Sequence, residues 1–147
     1  MPHTQPDGYR HTIMLTVRFG DVDALGHVNH AKYLTYMEQG RICYLRDVIG
    51  ASMNFQDFGV ILAKATVDYH LPLAFGDAII VYTRCSRLGG KSFDLEYVIY
   101  RKTDDGSQEV AHGLTTMVAY DYTTAQSIPV PDEWRKRMTD YEPILEA

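Results

Sequence analysis

The chain has 147 residues, enough for one domain with a real core, and 46% of them are hydrophobic against 22% charged, an ordinary globular balance. Fourteen Lys and Arg stand against nineteen Asp and Glu, a net charge of −5. That balance excludes nucleic acid as the main partner, because phosphate binding needs concentrated positive charge.

No apolar run reaches the length of a membrane span, and the N-terminal "MPHTQPDGYR" lacks the apolar core of a signal peptide. No membrane partner is expected, and residues 1–10 read as a flexible tail ahead of a single domain over 11–147. Cys43 and Cys85 lie far apart and outside any metal-type spacing, each within a patterned segment. They read as buried free thiols, which points to a reducing cytoplasm.

Ile13, Leu15, Val17 and Phe19 alternate with Thr12, Met14, Thr16 and Arg18, which predicts a strand. From about residue 30 to 49 the spacing turns helical through Tyr33, Leu34, Met37, Gly40, Tyr44, Leu45 and Val48, with Asn29 as the N-cap and Gly50 as the stop. Gly40 costs roughly 1 kcal/mol of helix propensity against Ala, a cost that close packing of another backbone would explain.

Four more strands follow. In "VILAKATVDYHLPL", Ile61, Ala63, Ala65, Val67, Tyr69 and Leu71 fall on one face. "FGD" turns the chain into "AIIVYTRCSRL", "GGK" into "SFDLEYVIYRK", and "TDDGS" marks a hairpin into "QEVAHGLTTMVAYDY". "IPVPDEWRKRM" reads as a linker and a short helix with Pro131 near its start. One strand, one long helix and a four-strand antiparallel meander predict an α+β domain whose sheet curves around the helix. Such a sheet leaves one face and its edges in need of partners, so an oligomer is expected.

The polar residues crowd into "RFGDVDALGHVNHAKYLTYMEQGR", residues 18–41. Asp21 and Asp23 precede the helix, and Gly26 permits a tight turn between Asp23 and the Asn29 cap. Two readings compete. The aspartates cap a turn, a common arrangement; or a carboxylate and the unpaired N–H groups of a helix start together form an acyl-transfer site. His27 and His30 stand three apart, but no third metal ligand appears at a familiar spacing. His27 can orient the turn or assist proton transfer. Glu38 and Arg41 suit an intrahelical ion pair, with Glu38 a reserve base. Arg87, Lys91 and Ser92 surround a hairpin, either as solvated loop groups or as phosphate contacts. His70 and His112 lie within strand patterns and read as packed or surface residues. There is no nucleophile elbow and no phosphate-binding Gly loop.

The 18–41 segment resembles the hot-dog-fold acyl-CoA thioesterases of the 4-hydroxybenzoyl-CoA thioesterase-like branch, whose pattern is D-x-D-x-x-G-(H/V)-V-x-(N/H/Y)-x-x-Y-L. "GVILAKATVDYHLPLAFGD" and "GGKSF" continue the likeness over nearly the whole chain after the tail. The resemblance implies a hot-dog fold, a five-stranded antiparallel sheet wrapped around one long helix. It also implies subunits paired into homodimers and then a homotetramer, with active sites at the subunit interface. The implied reaction is hydrolysis of an acyl-CoA thioester, with no metal and no cofactor beyond the CoA of the substrate.

On this likeness the catalytic carboxylate falls on Asp23, as nucleophile or general base, and the carbonyl-polarising N–H on His30. The related plant acyl-carrier-protein thioesterases have a similar "HVNN" stretch, whose catalytic His falls on His27. Gly26 shapes the substrate-side turn, and Lys91 meets the CoA phosphates. Val22 replaces the usual Thr, and Leu25 stands where the plant enzymes have an additional Asn. A hot-dog hydratase or dehydratase using His27 with Asp23, and a non-catalytic acyl-CoA or aromatic-acid binding protein, are the rival functions.

Overall fold

Asn29 begins the central helix α1 (His30–Tyr44) with its side-chain oxygen accepting the Ala31 N–H at 2.9 Å. The helical pattern runs on past Tyr44, but as a wider π turn over Leu45–Ile49 that Gly50 ends in a left-handed conformation, φ 73°. This is a computed structural model, and the residues it describes are 5–51 and 59–145. Residues 1–4 of the expected tail lie outside them.

Around α1 lie β1 (His11–Thr16), β2 (Val60–Tyr69), β3 (Ala78–Leu88), β4 (Ser92–Thr103) and β5 (Gly106–Asp121), with a two-residue β6 (Gln126–Ser127) against β5. The sheet order is β1-β3-β4-β5-β2, and every pairing is antiparallel. The predicted four-strand meander therefore holds only for β3, β4 and β5. The chain carries β2 across to the far edge beside β5, and β1 takes the place next to β3. Local turn signals specify the hairpins; they carry nothing about where a strand reached through a long connection will dock.

Two further differences have local causes. The first strand ends at Thr16, since residues Phe19–Asp21 form a 3-10 turn, and Phe19 is 77% exposed rather than inward-facing. In β2 the register shifts between Leu62, which pairs with Met117, and Lys64, which pairs with Thr116. Ala63 is the extra residue of that bulge. Because side chains alternate with period two, one extra residue exchanges the faces. Leu62 joins Ala65, Val67 and Tyr69 on the helix side, and Ile61 leaves it.

The core lies between the inner sheet face and one stripe of α1: Tyr33, Tyr36, Met37, Gly40, Cys43 and Tyr44 are buried. Leu34, expected on that stripe, is exposed. Gly40 stands at the closest approach, where an added Cβ would lie 2.8 Å from Thr83 Oγ1 and 2.9 Å from Val81 Cγ1. The helix needs a missing side chain there, which accounts for its propensity cost. On the outer face Tyr9 packs with Ile80, Tyr82 and Val98, its ring beneath the Arg84 guanidinium at 5.1 Å. The end of the segment expected as a tail is thus a packed residue, 6% exposed.

The second helix, α2 (Asp132–Tyr141), follows Pro131 and buries Met138. Just after it, buried Glu142 accepts the Tyr44 hydroxyl at 2.5 Å and the Cys85 N–H at 2.6 Å, tying the C-terminal segment to α1 and β3.

Asp21 ties the entry to α1. Its carboxylate, 2% exposed, accepts the Tyr36 hydroxyl at 2.8 Å and the Arg18 N–H at 3.1 Å, while its carbonyl accepts the Asn29 N–H at 3.0 Å. Burial pushes its pKa up, but these hydrogen bonds and the nearby Arg18 and Lys32 charges outweigh it and hold the carboxyl below its ordinary value.

Two outcomes follow from this packing. Gly40→Val is expected to lose about 1–3 kcal/mol in urea unfolding, the usual cost of overpacking. A carboxylate with a depressed folded pKa contributes stability above its unfolded pKa and loses it as pH falls through the folded value. The stability gap between the wild type and Asp21→Asn should therefore be full near neutral pH and narrow once the pH drops below about 4. A gap that stays constant down to acidic pH would remove the charge from this account.

Candidate active site at the start of the central helix

A short hairpin leads into α1. Asn29 N–H bonds to the Asp21 carbonyl at 3.0 Å, Val22 and Val28 form a bridge, and Asp23 N–H bonds to the His27 carbonyl at 2.8 Å. The tip is closed by Gly26, at φ 85°, a conformation that disfavours any residue with a Cβ. The Asp23 carboxylate serves this tip. Its Oδ1 accepts the Leu25 N–H at 2.9 Å and the His27 N–H at 3.3 Å. Among the described residues no donor engages Oδ2.

The two readings of Asp23 are therefore compatible. One oxygen caps the turn, as Asp residues commonly do, and the other is left without a hydrogen-bond donor among the described residues. Asp21, two residues earlier, is the buried structural carboxylate, so the two aspartates divide into an anchor and an exposed group.

The helix begins at His30. Asn29 takes the Ala31 N–H, and among the described residues no acceptor takes the N–H of His30. An unpaired N–H at a helix start carries partial positive charge and suits a developing oxyanion. The His30 ring meets the edge of Tyr69 at 6.4 Å between centroids, and the Tyr69 hydroxyl donates to the His30 carbonyl at 3.0 Å. Tyr33 stacks edge-on against Tyr69 at 5.0 Å and donates to the Leu71 carbonyl at 3.2 Å. Here lies a shallow depression of about 360 Å³, lined by His27, Val28, His30, Tyr33, Tyr69, His70, Leu71 and Pro72. The aromatic wall of Tyr33 and Tyr69 did not stand out in the sequence, where both fit core patterns. The only signal was that β2 and α1 each place an aromatic residue at the end nearest "HVNH".

The other predicted residues fall in different places. Lys91 is exposed on the β3–β4 hairpin, where its carbonyl accepts the Ala119 N–H at 2.9 Å. That is the end of β5 beside Val60, whereas Tyr69 pairs with Ala111 at the other end. A single chain thus holds Lys91 at the opposite end of the sheet from His30. Arg87 is engaged by Asp94 at 2.8 Å and by Ser92 Oγ at 2.9 Å, so only Lys91 of that hairpin remains for an anion. Glu38 and Arg41 approach at 3.5 Å. His112 bonds to Glu96 at 2.6 Å, and His70 pairs with Glu109 at 3.1 Å at the rim of the depression. Among the described residues no three His, Cys, Asp or Glu side chains are grouped to hold a metal ion. No described helix is long and apolar enough to cross a membrane.

With the geometry in hand, known proteins place the chain. It is 27% identical over 129 residues to the long-chain acyl-CoA thioesterase FadM of Escherichia coli (strain K12), covering 84% of this chain and 93% of that protein. A Thermus thermophilus thioesterase solved with coenzyme A and Zn superposes at a TM-score of 0.80 with 30% identity, covering 92% of this chain and 96% of that one. A thioesterase superfamily structure from Jannaschia sp. CCS1 shares the fold at a TM-score of 0.88 with 24% identity, covering 97% of this chain and 89% of the other. The family model of the thioesterase-like superfamily matches residues 17–138, which include the hairpin, the helix start and every sheet strand but the first. The chain belongs to the thioesterase-like superfamily, with the hot-dog arrangement that its sequence resembles.

Proposed function

We propose that this thioester hydrolase cleaves an acyl-CoA into a free carboxylic acid and CoA, with Asp23 as its reacting carboxylate. The observation that carries the reading is the division of Asp23, one oxygen pinned by the Gly26 turn and the other unengaged, on a hairpin that ends in the unpaired N–H of His30. The thioester carbonyl accepts that N–H. Asp23 then either attacks the carbonyl carbon, forming a mixed anhydride that a water hydrolyses to the free acid once the thiolate has left, or takes a proton from a water that attacks the carbonyl carbon directly. In both routes the C–S bond breaks and the thiolate leaves as CoA. A thioester has a good leaving group, so no Ser–His–Asp triad is needed. His27, on the same turn, can return a proton to the departing sulfur. The relative named as a long-chain acyl-CoA thioesterase and the thioesterase solved with coenzyme A support acyl-CoA as the substrate class.

The site is completed by a second copy. The outer edge of β2 has no strand beside it among the described residues. Antiparallel pairing of two such edges sets the Val60 end of one strand against the Tyr69 end of the other. That brings one copy's β3–β4 hairpin, with its Lys91, toward the other copy's helix start, where it can meet the CoA phosphates. Two such dimers associate into the homotetramer.

Asp23→Asn is expected to fold normally, because the amide oxygen still accepts the Leu25 and His27 N–H groups. It should lower kcat roughly 100- to 10,000-fold; near-normal thiol release by this variant would remove Asp23 from the mechanism. Single turnover in 18O-labelled water tests for the nucleophilic role, since an anhydride that water opens at the Asp23 carboxyl carbon leaves an unlabelled Asp23 oxygen in the first product and 18O in the enzyme. Enoyl-CoA hydration without thiol release would instead assign Asp23 and His27 to a hydratase, and tight acyl-CoA binding with no turnover to a binding protein. Lys91→Ala should raise KM roughly two- to fivefold for acyl-CoA, the worth of an exposed charge pair, and leave KM for an acyl-pantetheine unchanged.

A further inference from the structure

The start of α1 is held from two sides. On the hairpin side Val28 N–H bonds to the Leu73 carbonyl at 2.8 Å, Asn29 N–H to the Asp21 carbonyl at 3.0 Å, and the Asn29 side chain takes the Ala31 N–H at 2.9 Å. These contacts fix the residues before and after His30 and leave His30 itself out. The sheet side supplies its tie through Tyr69, at the end of β2. The Tyr69 hydroxyl donates to the His30 carbonyl at 3.0 Å, and the two rings meet edge to face, 6.4 Å apart at 89°.

Tyr69 is itself firmly supported. It pairs with Ala111 of β5, and the next two N–H groups, of His70 and Leu71, both bond to the Val110 carbonyl, at 2.9 and 3.2 Å. Its ring rests edge-on against Tyr33 at 5.0 Å. Tyr33 lies three residues beyond His30 on the same side of the helix, is buried, and donates its hydroxyl to the Leu71 carbonyl at 3.2 Å. The phenol that reaches His30 therefore stands on a strand and a buried ring, and groups so supported hold their geometry best. Tyr69 is nonetheless 46% exposed, and one hydrogen bond at such a site adds only modestly to folding.

What the bond can supply is position. The first turn is where a helix frays. An oxyanion donor must come within about 2.7–3.1 Å of the developing charge, and a misplacement of about 1 Å can cost about 100-fold in rate. The unpaired N–H of His30 and the carbonyl that Tyr69 holds belong to one residue, so a tie on the carbonyl limits where the N–H can go.

We propose that Tyr69 is a positioning residue of the hydrolysis: its hydroxyl holds His30 so that the His30 N–H meets the thioester oxygen as negative charge develops there. Tyr69 needs no contact with the substrate for this. The inference rests on the thioesterase reading above and adds the residue through which the sheet sets the oxyanion contact. That contact matters most in the transition state, so its loss falls on kcat rather than on KM.

Tyr69→Phe tests it, since the change removes one oxygen and keeps the ring contacts with His30 and Tyr33. The substrate is whichever of acetyl-, decanoyl- and benzoyl-CoA the wild type turns over best. The variant should lose about 10- to 100-fold in kcat, with KM within twofold of the wild type. Binding of the matching S-alkyl or S-benzyl thioether of CoA, which has no carbonyl, should also stay within twofold. A kcat within twofold of the wild type overturns the proposal and leaves the thioesterase reading intact. So does a loss that appears equally in KM and in thioether binding, which would make Tyr69 a binding residue. Unfolding of the variant, or activity lost only in proportion to the folded fraction measured by circular dichroism, makes the hydroxyl structural and overturns it as well. No thiol release by the wild type from any of the three esters overturns the thioesterase reading, and this inference with it.

Discussion

The structure hangs on one buried carboxylate. Asp21 receives a hydroxyl from α1 and a backbone N–H from the segment leaving β1, and its own carbonyl receives the N–H of the residue that caps α1. Three pieces of chain are thereby fixed in one place: the end of the first strand, the hairpin and the helix start. A buried charge is tolerable only when it is paired and hydrogen-bonded, and Asp21 has both, with the Tyr36 hydroxyl and Arg18 N–H as donors and the Arg18 and Lys32 charges nearby. The exposed Asp23 and the His30 N–H inherit their positions from it.

The second constraint is the approach of helix to sheet. Gly40 lets α1 lie against Val81 and Thr83, and the chain then leaves α1 through a π turn that Arg137 secures by donating to the Ile49 carbonyl at 3.1 Å. The C-terminal segment closes this end through Glu142, whose carboxyl burial pushes above its ordinary range. The closed end and the open end of the helix thus differ in kind. Near Tyr44 polar groups are buried and mostly paired within the chain; near His30 an N–H and one oxygen of the exposed Asp23 have no partner among the described residues. That asymmetry is what makes the His30 end of the helix the candidate site.

Much of this was legible beforehand because it is local. Asn29 and Gly50 delimit the helix through cap chemistry, "GGK" and "TDDGS" specify their hairpins, and Gly40 announces a close approach by being a costly residue in a helix. The motif "DVDALGHVNH" marked the carboxylate, the turn and the helix start. What it could not show was that Asp23 divides its two oxygens between capping and exposure, or that Asp21 rather than Asp23 is the buried anchor. Both depend on which way the hairpin faces the core. The aromatic wall was hidden for the same reason, since Tyr33 and Tyr69 look like core residues in their own patterns.

By itself, then, the sequence determined the elements, their caps and turns and the chemistry of the 18–41 segment, because these arise from contacts between residues close along the chain. Only the tertiary structure decided that β2 lies beside β5, that the bulge at Ala63 exchanges the faces of its first residues, and that Lys91 and His30 occupy opposite ends of one chain. Strand order and register are settled by packing between distant segments, and alternation along a strand carries no memory of an inserted residue. "RFGDVDALGHVNHAKYLTYMEQGR" states which groups meet at the helix start; the sheet wrapped around that helix decides which of them face a substrate.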